Sequence, residues 1–195
     1  MRPETSRSEN GTREYRRPVV ANYTFADGEG KYAGQDVTIA PIPTIIGEIE
    51  RIVGIESPVH QEELIARLVG LWETRAGSRI SASLARMITR AERSWLIVRR
   101  GEFLWSTSAK LTVRSRSGTQ MHADRIAPEE YEATVRLILA DGHAMPRQEL
   151  VMEVRSVLGF NRTGNLLEAA INSTIDKMFD GDELGEVSSG ICRRQ

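Results

Sequence analysis

Between residues 56 and 105 the spacing of the apolar positions changes repeatedly, and each change marks a new element. From Val59 onward they fall three and four apart at Leu64, Ile65, Leu68, Leu71 and Trp72, which predicts one face of a helix. Glu62 and Glu63 lie in its first turn, where the helix dipole favours negative charge. The stretch Thr74-Arg75-Ala76-Gly77-Ser78 interrupts the pattern, and Gly77 and Ser78 suit a turn leading into an N-cap. Roughly from Arg79 to Glu92 the helical period returns, with Ile80, Leu84, Met87, Ile88 and Ala91 on one side. Trp95–Arg99 and Glu102–Trp105 then read as two β-rich runs around Arg100-Gly101, a hairpin with a basic tip.

A further helix precedes these elements. From Pro43 the stripe Ile45, Ile46, Ile49, Ile52, Val53 ends at Gly54. Three helices and a hairpin outline a winged helix-turn-helix, whose last helix enters the major groove while the wing contacts backbone. Small folds of this outline also serve as protein-binding or spacer modules, and that reading stays open beside the first.

The flanks are more polar. Residues 1–18 are charged and Pro-flanked, and are expected to form a disordered or extended arm. Residues 19–42 carry short apolar pieces between glycines and are expected to lay one strand on the first module. Gly28, Gly30 and Gly34 invite a phosphate-loop reading, but no Gly-Lys-Ser/Thr follows them. After the hairpin, residues 106–126 form a Ser/Thr/Arg-rich connection in which Leu111-Thr112-Val113 predicts a strand. Pro128, with Glu129 and Glu130 behind it, opens a helix that buries Tyr131, Val135, Ile138 and Leu139.

Beyond Leu139 the pattern of the first run returns. Arg75-Ala76-Gly77 before Ile80, Leu84 and Ile88 is echoed by Arg162-Thr163-Gly164 before Leu167, Ile171 and Ile175, and Glu63-Leu64 by Glu149-Leu150. The expected fold is therefore mainly α with small β wings (α+β), in tandem winged-helix-like modules. Its divisions are a polar arm and lead-in at 1–42, a first module at 43–106, a connection at 107–126, a second module at 127–190 and a tail at 191–195.

Charge separates the two modules. The net charge is −1, yet Arg75 to Arg116 holds nine Arg and one Lys against only Glu92 and Glu102. On the last helix of the first module, Arg79, Arg86, Arg90 and Arg93 fall within about 60° of one another, opposite the apolar face. The second module offers Asn165, Asn172 and Lys177 with Glu168 and Asp176, and its expected wing, Asp180-Gly181-Asp182-Glu183, is acidic. Only the first module is suited to an anionic partner.

Little else points to chemistry. His60, His122 and His143 have no metal-ligand spacing and are read as structural or solvent-facing. No Gly-x-Ser-x-Gly elbow or Cys-His pair is present. Trp72, Trp95 and Trp105 could stack on bases, but beside apolar stripes they are read as core anchors. The acidic pairs at helix starts are explained by the dipole. The single Cys192 excludes an internal disulfide and fits a reducing compartment. Without a long apolar run or signal-peptide core, a soluble, cytoplasmic chain is expected, with no membrane partner, cofactor or metal.

Several segments carry a resemblance. Ile52-Val53-Gly54-Ile55-Glu56-Ser57-Pro58-Val59-His60, Glu63–Arg67, Arg75–Ile80, Ile126–Glu130 and Leu158–Gly164 occur in an order that resembles a domain of unknown function. That domain is found at the C-terminus of very large bacterial superfamily-one helicase-like proteins, and the resemblance spans about residues 43–180. It implies a DNA-transaction setting. The chain has neither a Walker A loop nor a nuclease carboxylate cluster, so the resemblance supplies no catalytic residue.

The expected function is that of a non-enzymatic DNA-binding accessory module. Arg79, Arg86, Arg90 and Arg93 would face the duplex, Arg99 and Arg100 would reach phosphates from the wing, and Arg75 would support the turn. The alternative is a protein-interaction module that docks on a helicase-like or nuclease partner without touching DNA.

Overall fold

A computed structural model describes residues 15–194 of the chain, so most of the expected N-terminal arm and Gln195 lie outside the described residues. The fold is α+β, with six helices among small two- and three-stranded sheets.

After a short strand β1 (Ala21–Asn22), helix α1 (Ile42–Glu56) buries Ile45, Ile49, Ile52 and Val53. It continues past Gly54, the end that the apolar stripe predicts, because Gly54 faces solvent and meets no steric demand. The stop comes from Pro58, which favours extended backbone at the residue before it, and Ser57 has ψ 135°. Strand β2 (Val59–His60) follows, where sequence periodicity predicts the start of a helix. Helix α2 (Gln61–Leu71) begins only after it, its end capped as His60 Nδ1 accepts the Glu62 N–H at 3.2 Å.

Helix α3 (Ser78–Arg93) starts at Gly77 and buries Leu84, Ile88 and Ala91. Strands β3 (Ile97–Arg100) and β4 (Phe103–Ser106) form the hairpin, with Gly101 at φ +58°, an angle glycine adopts without strain. Val59 and His60 pair with Leu104 and Phe103, so the sheet order is β2-β4-β3 and the inner edge of the hairpin is covered.

The connection departs from expectation. Strand β5 (Arg114–Ser115) lies just beyond the predicted Leu111–Val113 and pairs in parallel with β1, so the lead-in strand joins the connection rather than the first sheet. Tyr15 and Arg17, expected in the arm, are tied to Glu153: Tyr15 Oη donates to its carboxylate at 2.9 Å and Arg17 Nε at 2.7 Å.

The second half comprises α4 (Pro128–Ile138), α5 (Arg147–Val157), α6 (Asn165–Asp180), β6 (Leu184–Val187) and β7 (Gly190–Arg193). Both ends of α6 and of each hairpin strand stand 87 residues beyond their counterparts in α3, β3 and β4, and α5 stands 86 beyond α2. Gly77 and Gly164 start α3 and α6 with the same backbone angles, φ −80° and ψ 158°. The Met145–Ile191 bridge occupies the place of the Val59–Leu104 pair. The end of the chain corrects two expectations. The acidic Asp180–Glu183, expected as a wing, is the entry to the hairpin, whose tip is Ser188-Ser189. Ile191–Arg193, expected as tail, form part of β7, with Ile191 buried and Cys192 half-buried in a strand.

Each half has its own core. Ile49, Ile52, Leu64, Leu68, Leu84, Ile88 and Leu104 anchor the first, and Val135, Leu150, Val154, Ile171, Ile175 and Leu184 the second. Phe103, Trp105 and Ala127 form a small cluster between them. Among the described residues no helix is long and apolar enough to cross a membrane.

Candidate nucleic-acid interface

The outer face of α3 follows directly from its sequence. A helix that buries Leu84, Ile88 and Ala91 must turn the residues about half a turn away toward water, and Arg79, Arg86, Arg90 and Arg93 are all exposed. From Arg79 to Arg93 the ridge runs about 21 Å along the axis at 1.5 Å per residue. Arg86, Met87, Thr89, Arg90 and Arg93 enclose a shallow groove of about 430 Å³. Among the described residues, no carboxylate lies within ion-pair distance of these four guanidiniums. Arg79 has a more distant neighbour: its charge helps hold the Asp36 carboxyl below the usual range, after the hydrogen bonds from Thr38. Arg90 and Arg93 also sit in the last turn, where positive charge is favourable to the helix itself.

The other expected contacts divide. Arg75 is exposed in the turn before α3, and its carbonyl accepts the Gly77 N–H at 2.8 Å, so it belongs to the turn as well as to the basic face. Arg100 is exposed near the hairpin tip, its guanidinium 4.4 Å from the ring centre of Trp105. Arg99 is half-buried and its guanidinium is already paired. Its Nε donates to Glu92 at 2.7 Å and its Nη2 to Gln61 Oε1 at 2.7 Å, so it ties β3 to the ends of α2 and α3 instead of projecting from a wing.

Arg114 and Arg116, which add to the basic count of the connection, are buried. Both donate to Glu130, Arg116 Nη2 at 2.7 Å and Arg114 Nη2 at 3.1 Å. Arg114 Nη1 also donates to the Glu56 carbonyl at 2.9 Å, which links α1 to the start of α4. Burial pushes the Glu130 carboxyl up, but the Arg116 hydrogen bond and the two positive charges hold it below the ordinary carboxylate range. Glu130 is therefore the anchor of a buried cluster, beyond what a helix dipole requires. The alternation Arg114-Ser115-Arg116, which puts both guanidiniums on one face of a strand, is its signal in the sequence.

Trp72 and Trp105 are buried as expected, but Trp95 is not: its side chain stands 79% exposed. It occupies the left-handed position after α3, with φ +58°. Trp95 N–H donates to Glu92 O at 2.9 Å and Leu96 N–H to Ala91 O at 3.1 Å, closing the last turn of the helix. His60 is buried at the start of α2, where Arg125 Nη1 donates to its Nδ1 at 2.6 Å. His122 is exposed and His143 packs edge-on against Tyr15. Among the described residues, no group of three or more His, Cys, Asp or Glu is placed to hold a metal ion.

The second half carries a different surface at the same places. Positions 87 residues beyond Arg79, Arg86, Arg90 and Arg93 are Leu166, Ser173, Lys177 and Asp180. Lys177 Nζ donates to Glu132 at 2.7 Å, which leaves this face without a basic ridge.

A family model described as "Protein of unknown function (DUF3320)" matches residues 38–82. Those residues carry that domain. They take in α1, β2, α2 and the opening of α3 as far as Ala82. The match is shorter than the span of the resemblance and excludes Ile126–Glu130 and Leu158–Gly164. No curated protein and no solved structure matches the chain.

Proposed function

We propose that this chain is a non-enzymatic DNA-binding accessory module built from two winged-helix-like units, of which only the first meets DNA. The observation that carries the reading is the exposed ridge Arg79, Arg86, Arg90 and Arg93, opposite the buried face of α3 and without an acidic partner at ion-pair distance among the described residues. Surface arginines paired within the protein would be of little use to phosphate; these are available. Arg75 in the turn before the helix and Arg100 near the hairpin tip are exposed as well, whereas the half-buried Arg99 is paired with Glu92 and braces the hairpin.

Arginine-to-phosphate contacts give affinity without sequence information, so binding would be salt-dependent and weakly selective. Four such contacts on a duplex correspond to a slope of roughly −3.6 in log K against log salt. Fluorescence anisotropy across a salt series tests this directly. The triple variant Arg79→Ala/Arg86→Ala/Arg90→Ala should flatten the slope by about 2.7 and weaken binding on every sequence alike. Equal binding by parent and variant would end the proposal.

A second reading has its own support. In the second half, Leu166 is 73% exposed at the position of Arg79, and Met152 on α5 is also exposed. A protein partner, in the helicase-like or nuclease setting that the resemblance implies, would cover such a face. The two readings are compatible if the first half holds DNA and the second docks on a motor or nuclease subunit in the cytoplasm. Association with such a subunit that survives high salt would favour the docking role, since a phosphate interface weakens there.

A further inference from the structure

Trp95 is explained neither by packing nor by the turn it occupies. Its ring is 79% exposed, while Trp72 and Trp105 are buried. Its backbone holds φ +58°, a conformation that L side chains rarely adopt and that helix ends usually give to glycine or asparagine. The same closure is made 87 residues later with a small polar residue. There Asp182 has φ +59°, its N–H donates to Phe179 O at 3.0 Å, and Glu183 N–H donates to Met178 O at 2.9 Å. The cap therefore has no need of an indole. A large aromatic ring kept in water at a strained position points to a use outside the fold.

Its neighbours say what the use is. Trp95 follows Arg90 and Arg93 in sequence, at the end of the helix whose groove Arg86, Arg90 and Arg93 line. A cationic track that ends in an exposed aromatic is the arrangement that holds a nucleic acid strand, with phosphates on the track and a base stacked on the ring. In a continuous duplex both faces of each base are already covered by its neighbours, so a stacking side chain selects bases that are unpaired or at an end.

Resting on the Arg-ridge reading above, we propose that Trp95 stacks on an unpaired nucleobase of a DNA strand whose phosphates lie along Arg86, Arg90 and Arg93. The site then prefers DNA with a single-stranded extension over a continuous duplex.

The test uses the full chain, a blunt labelled duplex and the same duplex with a single-stranded extension, titrated by anisotropy over a salt series. The parent should bind the extended duplex about tenfold more tightly, the scale of one base–aromatic stack. Trp95→Gly should abolish that preference while keeping the salt slope on the blunt duplex, and Trp95→Phe should retain part of it. Equal binding of both DNAs by the parent overturns this inference and leaves the ridge standing. A preference that survives in Trp95→Gly also overturns it, as does a variant that binds both DNAs like the parent. Failure to bind either DNA at low salt removes the ridge reading and this one together.

Discussion

Arg116 and Glu130 meet where neither reaches solvent: Arg116 Nη2 donates to Glu130 Oε2 at 2.7 Å, and both residues are buried. Around this pair the chain gathers parts of both halves. Arg114 adds a second guanidinium to the same carboxylate and reaches back to the carbonyls of Glu56 and Pro58, while Arg116 N–H donates to the Leu158 carbonyl at 2.8 Å. A buried pair of this kind costs desolvation that its attraction only partly repays, but breaking it from one side strands an uncompensated charge. Glu130→Ala leaves two guanidiniums without their anion. It should lower unfolding free energy by about 3–5 kcal/mol, read from urea midpoints. An unchanged midpoint would mean that water enters the cluster and solvates both arginines.

The pair also marks the limit of what the sequence can tell. Apolar period exposes α1, α2 and α3 because leucine and arginine on opposite faces of one helix are far apart in transfer free energy. Arginine itself looks the same whether it faces water, phosphate or a buried carboxylate, so a count of charges places Arg99, Arg114 and Arg116 with the basic surface although the fold pairs Arg99 with Glu92 and buries Arg114 and Arg116. Strand β2 is two residues long, too short for alternation to register, and depends on a partner about 45 residues away. Its place beside the apolar run Leu96-Ile97-Val98 assigns Trp95 to the core. Its true setting is legible only by comparison with Asp182, 87 residues on, where the same turn is made by a residue that tolerates positive φ.

Low pH should loosen the first half through Glu48. Burial raises this carboxyl, but hydrogen bonds from Lys31, Arg51 and Tyr32 outweigh it and pull it down to about 2 from an ordinary 4.5. Glu130, and Glu153 under Arg17, are shifted in the same direction. A carboxyl more acidic in the folded state than in the unfolded one stabilises the fold fully above the unfolded value, and that contribution is lost as pH falls through the folded one. Stability should therefore be level from neutral pH to about 5 and decline between roughly 4.5 and 2. Thermal melts in a pH series would show it, and Glu48→Gln should make the decline shallower from a lower plateau.

Arg99 and Arg86 should separate cleanly under mutation. Arg99 braces β3 against Glu92 and Gln61, so Arg99→Ala should cost about 1 kcal/mol of stability and reduce DNA affinity only slightly. Arg86, exposed and without an ion-pair partner among the described residues, should show the reverse: an unchanged melting temperature and a salt slope flatter by about 0.9. Parallel melts and anisotropy titrations of the two variants decide it. An Arg99→Ala variant that melts like the parent but binds DNA poorly would return Arg99 to the interface.

Trp95 supplies the prediction that most clearly separates fold from function. A non-glycine residue in the left-handed region costs roughly 1–2 kcal/mol, and a ring left 79% exposed recovers little of that by burial. Glycine removes the strain but gives the unfolded chain more freedom, which offsets about 0.5–1 kcal/mol. Trp95→Gly should therefore be as stable as the parent or more so by up to about 1 kcal/mol, whereas Trp105→Ala, which empties a buried site, should cost about 3–5 kcal/mol. Urea unfolding of the two variants is the measurement. A residue whose removal leaves the fold intact or firmer is one the fold does not require. A loss of more than about 1 kcal/mol in Trp95→Gly would instead mean that the indole packs against the hairpin in solution, and its exposure would no longer call for a partner.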